Sequence, residues 1–568
     1  MTPSMVTYDS GGTPPEASAT SFLGRTFCNA DHKVIGLNYL WLVLFSVFLG
    51  MGLSLLMRIQ LVWPSVRLPL VSGLAYTPER YAALTLLHGS LMIFMVLTAA
   101  PQAGFGNYFL PLQIGARDMA FPKLNLLSLW ATAASLLGMT ISFFVPAESG
   151  LTLWVASVAL FCLASLWSAL NFCVTAIDLR TAGMTLPRMP LTVWAWFVTA
   201  ILGSLIFSIL LAACVFLLSD RVVGTHFFTV PQVLAGLMPA ASLQGIPVLW
   251  QRLFWFFAQA EVYVAVLPCL GITSHLLATF ARKPAWALRA AVLALCGVGL
   301  FGFCIWGYHM FATGMNPYAP LVFAMLAESL GLPAVILLAS WLGTLWNGKI
   351  QLTTAMLFAL GFISLFVSGG LSGLFLARHD LARAAVNDEF VTGHFHLVMG
   401  VAATFAILGA LFFWFPKMFG RRLSEPLGKL HFWLTFAGVY CIFMPMHWLG
   451  LAAHSRPPAA YPVAAAVEPV RDFITGAIVV TIAAQVIFLF NFVRSVWWGA
   501  KVNEKNPWRA TTLEWSIASP TLFDNFGPAE PVVYRGAYEF GTTAFAEDFL
   551  PQHLTPEEVP ARIAEQGR

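Results

Sequence analysis

The sequence predicts an all-α polytopic membrane protein with twelve transmembrane helices, and two observations carry that reading. Hydrophobic residues make up 59% of the 568 positions and charged residues only 10%, with a mean hydropathy of +0.78. Soluble domains carry about 25% charge, so a soluble fold of this size is excluded. The second observation is repetition. A helix crosses a bilayer core of about 30 Å in roughly 20 apolar residues. Runs of that kind recur near residues 36–62, 81–111, 124–146, 151–177, 191–218, 245–278, 287–313, 318–346, 353–376, 391–416, 429–451 and 472–494.

The segments between runs hold the glycine, proline and charge that a span excludes, as in ARKP at 281–284 and FGRRLSEPLGK at 419–429. An even number of spans puts both termini on one side. Lys and Arg are roughly twice as frequent in the loops on that side, which predicts cytoplasmic termini in a bacterial-type inner membrane. The expected organisation is a tail at 1–33, a twelve-helix membrane domain at 34–496 and an extended polar tail at 497–568. No apolar core of a signal peptide precedes the first run, and no internal repeat is visible. A net charge of +4 gives no footprint for nucleic acid. The eight cysteines form no CxxC pair and mostly lie inside apolar runs, so they are read as small core residues.

Four histidines interrupt these runs: His88 in LLHGSLMIFMVLTAAP, His309 in GYHMFATG, and His394 with His396 in TGHFHLVMG. Polar side chains at bilayer depth are costly and mark functional sites, and imidazole is a common axial ligand of haem iron. Two residues along a helix turn the side chain by about 200°, so His394 and His396 face opposite ways. That suits two haems flanking one helix better than one metal held by both. A lone His88 would equally be a satisfied core histidine; the pair in TGHFHLVMG favours ligation.

Laid in order, the motifs resemble subunit I of the haem–copper oxidases, the cytochrome c oxidase family. DHKVIGLNYL (31–40), LLHGSLMIF (86–94), GFGNYFLPLQIGARDMAFPKLN (104–125), WFFAQAEVYVAVLP (255–268), TGHFHLVMG (392–400) and NPWRATTLEWSIASP (506–520) carry the resemblance nearly end to end. It implies His88 and His396 as axial ligands of a low-spin haem and His394 as proximal ligand of a high-spin haem. It also implies Arg58, in LLMRIQL, near the low-spin haem's periphery. Arg456 matches the first of two propionate-binding arginines, with Pro457 in the second's place. Subunit II-like and subunit III-like partners are implied, with electrons arriving from cytochrome c or another donor through a partner.

The chain departs from the family pattern where copper belongs. HPEVY reads QAEVY, so Gln259 replaces a copper-binding histidine, with Ala260 at the proline. HHMF reads YHMF, so Tyr308 replaces a second and only His309 survives. A neutral amide and a phenol of ordinary pKa near 10 are poor copper ligands, so copper-B is expected to be absent. Tyr263 matches the tyrosine that the family cross-links to its first copper histidine, here without that partner. The K-type proton pathway is interrupted too, because LPAVILLASWL places Leu337 at its lysine and Ala334 at its threonine. An HD pair linked to magnesium reads Val386 and Asn387.

The D-type pathway is better kept. Asp118, Asn107, Asn125 and Asn171 match its mouth and lower part, and Glu261 its upper carboxylate, expected to be neutral at pH 7. The asparagines could equally cap or pack helices. His32, His226, His379, His431 and His553 are expected to be solvated and His275 interfacial, with His447 and His454 at the outer end of the eleventh span. Three functions remain open: a copper-deficient two-haem subunit that moves electrons or handles a small ligand, a structural haem subunit without turnover, and a working oxidase with a substitute ligand set.

Overall fold

The computed structural model describes residues 28–62, 78–228, 245–311, 315–316, 318–384, 388–454, 462–522, 524–541 and 548–558. Among these, twelve helices are long and apolar enough to cross a membrane. They are α1 (His32–Gln60), α2 (Glu79–Ile114), α3 (Pro122–Ser142), α4 (Ala147–Asp178), α5 (Leu191–Val223) and α6 (Val248–Ala281). The second half is α7 (Leu288–Met310), α8 (Ala319–Leu345), α9 (Thr354–Ala377), α10 (Glu389–Phe419), α11 (Glu425–Ala452) and α12 (Val467–Trp498). Each coincides with an apolar run read from the sequence.

Sequential helices pack as neighbours, and α12 returns to α1 to close the ring. The centre belongs to α6, whose most apolar stretch is 100% buried, and α10, at 72%. Both also touch α2 and each other. A helix apolar on all sides needs protein or lipid on all sides; these two find protein, so their few polar side chains face interior space.

Two stretches depart from α-geometry. Leu91–Gly106 in α2 is wound as a π-helix around Pro101, and His396–Val401 in α10 repeats that winding. Proline cannot donate the i→i−4 hydrogen bond, which accounts for the first. Wide turns of this type recur at functional sites. Here each lies at or just after a histidine predicted to bind haem.

The tail differs from expectation. It is not extended: the described residues between 499 and 558 fold back over the end of the bundle where α1 starts and α12 ends. A short antiparallel pair joins β1 (Arg421–Arg422) to β2 (Ala500–Lys501), and Leu513, Glu514 and Trp515 are buried. The Lys417 ammonium donates to the carbonyls of Lys505, Ile517 and Ala518 at 2.5–3.2 Å. Arg282 pairs with Asp548 and donates to the carbonyls of Trp508 and Arg509.

Burial corrects the assignments of three histidines, two of them covered by the tail. His32 is fully buried, with its ring against the Asn107 carbonyl at 2.8 Å and Asn525 of the tail. His275 is buried under the tail, 3.1 Å from the Tyr538 hydroxyl and 3.5 Å from Glu514. His431 is buried between α11 and α12, 2.9 Å from Gln485. Hydropathy gave no sign of a lid built by a polar tail. His226 is exposed, as expected, and His553 half-buried. Cys162, Cys214 and Cys269 are buried free thiols, consistent with core roles.

Candidate functional site

His88, His394 and His396 all fall in the first third of their helices, and α2 and α10 both start from the face opposite the termini. The sequence therefore delivers all three to one depth of the bundle. Each ring is held in the same way. His88 Nδ1 lies 2.9 Å from the Gly50 carbonyl, His394 Nδ1 3.0 Å from the Gly369 carbonyl, and His396 Nδ1 2.8 Å from the Thr392 carbonyl. A carbonyl only accepts, so Nδ1 carries the hydrogen and Nε2 keeps its lone pair. Among the described residues no Nε2 of the three makes a hydrogen bond. This is the second-shell arrangement that metal-bound histidines use.

The surroundings separate the rings. His394 faces α9, where Ser372 Oγ lies 3.0 Å from Nδ1. Gly373 makes room for it, since a methyl group there would come within 3.0 Å of the imidazole. His396 stacks on Phe443 of α11, centroids 4.7 Å apart at 10°, and stands within electrostatic reach of His88 across from α2. Both rings nevertheless border one continuous cavity of about 650 Å³. The volume lies within the roughly 300–1,000 Å³ of cofactor pockets. The free Nε2 lone pairs of His394 and His396 on a largely apolar cavity fit ligation of haem iron; His88 does not line this cavity but stands within electrostatic reach of His396.

The same cavity gathers Gln259 and Tyr263 from α6 and Tyr308 and His309 from the end of α7. His309 stacks on Trp255, centroids 4.2 Å apart, and lies within electrostatic reach of His394. The Tyr308 hydroxyl donates to the Leu376 carbonyl of α9, and its ring meets His309 edge-on, centroids 5.2 Å apart. Gln259 is buried, and its Oε1 has no hydrogen-bond partner. Among the described residues no three His, Cys, Asp or Glu side chains converge as a metal-binding group. Leu337 is fully buried in α8, and Ala334 borders the cavity.

Arg58 is buried beside α12, donating to Thr475 Oγ1 at 3.0 Å and to the Arg471 carbonyl at 3.2 Å. Arg471 approaches Glu389 at 3.6 Å, so a cluster of charge stands at the ends of α1, α10 and α12 away from the tail. Arg456, Pro457, Val386 and Asn387, and the side chains of His379 and His454, lie outside the described residues.

A polar track climbs from the terminal face. Asp118, half-buried in the α2–α3 loop, accepts from the Met119 amide at 2.7 Å, and desolvation pushes its pKa up to about 6. Asn107 and Asn125 are fully buried; the Asn107 Oδ1 and both amide atoms of Asn125 have no partner. Above them a small cavity of about 40 Å³ is lined by Tyr39, Thr98, Gln102, Thr132, Ser168 and Thr199, room for roughly two waters. Thr98 lies 2.5 Å from Glu261 Oε1 and 2.8 Å from the Ile93 carbonyl. Asn171 is different, because both ends of its amide bond the Phe121 backbone at the start of α3.

Sequence reasoning missed Thr98, Arg471 and Ser372. It also gave no role to His447, near the end of α11, whose Nε2 lies 3.1 Å from Ser372 Oγ and so joins the support of His394. Hydroxyl residues inside apolar runs carry no spacing signal that distinguishes such roles.

The family described as Cytochrome C and Quinol oxidase polypeptide I matches residues 34–516. The chain is 39% identical to the alternative cytochrome c oxidase subunit 1 of Bradyrhizobium diazoefficiens, over 94% of each chain. It is 38% identical to cytochrome c oxidase subunit 1 of Synechocystis sp., over 91% of this chain and 92% of the relative. A cryo-EM structure of a heme-copper terminal oxidase dimer superposes with a TM-score of 0.67 at 17% identity, covering 84% of this chain and 85% of that one; this supports the fold alone.

Proposed function

The chain belongs to the cytochrome c and quinol oxidase subunit I family, and from that premise we propose that it is a copper-deficient, two-haem electron-transfer subunit. Members of this family work with subunits II and III in respiratory oxidase complexes, and electrons here would come from cytochrome c or another donor through such a partner. We place it in a bacterial-type inner membrane with both termini cytoplasmic. The observation that carries the reading is the wall facing His394, where Gln259 and Tyr308 stand in place of two imidazoles and His309 is alone. One good nitrogen donor does not hold copper tightly.

Haem, if bound by these histidines, would supply one-electron redox chemistry. The protein's own part is positional. Gly50 and Thr392 orient His88 and His396; Gly369 and Ser372 orient His394. Arg58 and Arg471 give positive charge at the outer edge, with Arg456 as a further candidate. With no second metal to supply an electron and polarise a bound ligand, four-electron reduction of oxygen should be slow.

Protons, where they move, would enter at Asp118 and pass Asn107, Asn125 and the 40 Å³ cavity to Glu261. Thr98 has one hydroxyl hydrogen and two neighbours within bonding distance, the Ile93 carbonyl and Glu261. A neutral Glu261 donating to Thr98 satisfies both contacts; an ionised one leaves an acceptor facing an acceptor.

Optical spectra of the reduced complex with and without carbon monoxide test the reading. One haem should respond and one should not, while oxygen consumption stays far below that of relatives with three copper histidines. The names of the relatives favour a second reading, a working oxidase with a substitute ligand set. Sustained four-electron oxygen turnover would establish it.

A further inference from the structure

A charged side chain within a span normally turns inward to a partner or a cavity. Arg58 does so, buried in α1 and bonded to Thr475 of α12. Arg494 does not. It is exposed on α12, one turn before the helix ends at Trp498, and among the described residues it joins no ion pair.

Arg494 borders an open groove of about 550 Å³ whose other walls are Val486, Leu489, Phe490, Val493 and Trp498. These positions recur at three- and four-residue steps and so form one stripe along the helix. Val486, Phe490 and Trp498 are 61%, 58% and 72% exposed, so the chain itself does not cover the stripe. From Val486 to Trp498 the helix rises about 18 Å, close to one leaflet of a hydrocarbon core about 30 Å thick. The groove is therefore apolar over the depth of one leaflet and positive at the end where that leaflet meets water. Two exposed indoles, Trp497 and Trp498, stand at the same end, and tryptophan favours headgroup depth.

More positive charge gathers there. The chain runs from α12 into β2, where Lys501 pairs in register with Arg421 of β1. Arg421 is anchored by donating to the Gly499 carbonyl at 2.7 Å, and Arg422 lies over the Trp508 ring, 5.0–5.5 Å being the usual range of such contacts and 5.3 Å the distance here. Arg422, Lys501 and Lys505 are exposed. From Arg494 to Arg509 the sequence holds four basic residues and one acid, Glu504.

We propose that this groove binds one anionic phospholipid of the leaflet at the tail-covered end. An acyl chain lies along Val486, Leu489, Phe490 and Val493, the phosphate meets Arg494, and the excess of Arg422, Lys501 and Lys505 selects a net negative headgroup. A helix of a partner protein would have to bring a carboxylate to the depth of Arg494, whereas a lipid phosphate already lies there.

The test titrates phosphatidylglycerol and phosphatidylcholine onto the purified, delipidated complex and counts bound lipids by native mass spectrometry. The wild type should hold one phosphatidylglycerol that phosphatidylcholine does not displace. In Arg494→Gln that lipid should bind about fivefold more weakly, the effect of one basic residue at a membrane surface, and Arg494→Lys should recover most of the loss. Phe490→Ala should weaken binding while keeping the preference for the anionic headgroup. Unchanged optical spectra control for folding. Equal affinity in the wild type and Arg494→Gln means unselective surrounding lipid and overturns the proposal. Loss of a partner subunit from the Arg494→Gln complex assigns the groove to a protein helix and overturns it too.

Discussion

His88, His394 and His396 owe their chemistry to backbone carbonyls that the sequence does not mark. A carbonyl at Nδ1 selects one tautomer and one ring orientation, and His394 has a second support in Ser372 and, behind it, His447. Removing such outer partners lowers metal affinity by about 10–100-fold. Because the Gly369 carbonyl remains, Ser372→Ala should weaken retention of the CO-responsive haem by about tenfold, at the low end of that range. The other haem's spectrum should not change, and haem loss on titration with apomyoglobin measures the difference. Asp118 gives a pH prediction. Its native pKa is raised from 3.8 to about 6 by desolvation, so between those values the folded state binds more protons than the unfolded one, and stability falls as pH rises. Asp118→Asn should therefore be more stable than wild type at pH 7, by about 1 kcal/mol after solvent screening of a half-exposed group. The gain should vanish below pH 4, as thermal unfolding at both pH values would show. The same variant should abolish redox-linked proton uptake with both haem spectra intact; undiminished uptake would make the track structural. The candidate histidines stood out in the sequence as polar interruptions in apolar runs, and the departures at Gln259 and Tyr308 through family resemblance. Ser372 and Thr98 were not, because a hydroxyl that returns its hydrogen to its own helix is ordinary in a membrane span.

Among the elements, the twelve helices were legible because bilayer thickness sets a length that apolar runs must meet. The π-helical stretches in α2 and α10 were not, since only Pro101 hinted at one and nothing at the other. The tail was misjudged because its polarity suggested solvent, whereas its polar atoms close over the ends of the helices. Glu514 shows how. It is fully buried, accepts from Gln113 at 3.0 Å and lies 3.5 Å from His275. The His275 contact and the Gln113 bond hold its pKa below the usual carboxylate range against the opposing effect of burial. A depressed carboxylate contributes stability above its unfolded pKa and loses it as pH falls through the folded value. Glu514→Ala leaves the buried Gln113 amide without its acceptor and removes the carboxylate beside His275, and should destabilise the fold by about 3 kcal/mol, the lower end for breaking a buried pair. The loss should appear as faster proteolysis within residues 499–541, while both haem spectra persist. Cleavage at the wild-type rate would mean that Lys417 and Arg282 hold the tail without it.

For the whole molecule, the two proposed haem positions lie toward the ends of the helices away from the tail, and the proposed proton track starts from the tail-covered end. Glu261 stands where the two meet, two residues from Gln259 and from Tyr263. His394→Ala should remove the CO-responsive haem and spare the low-spin one, and His88→Ala should do the reverse. A single loss that removes both would show one shared site in the continuous cavity. The central claim concerns the wall that faces His394, and copper stoichiometry tests it most directly. Metal analysis of chelator-washed complex should compare wild type with the Gln259→His, Tyr308→His double variant, which restores two imidazoles beside His309. The account predicts two haem irons per chain in both proteins and one more copper per chain in the double variant. Equal copper in both, with metal density beside His309 in the wild type, would contradict it.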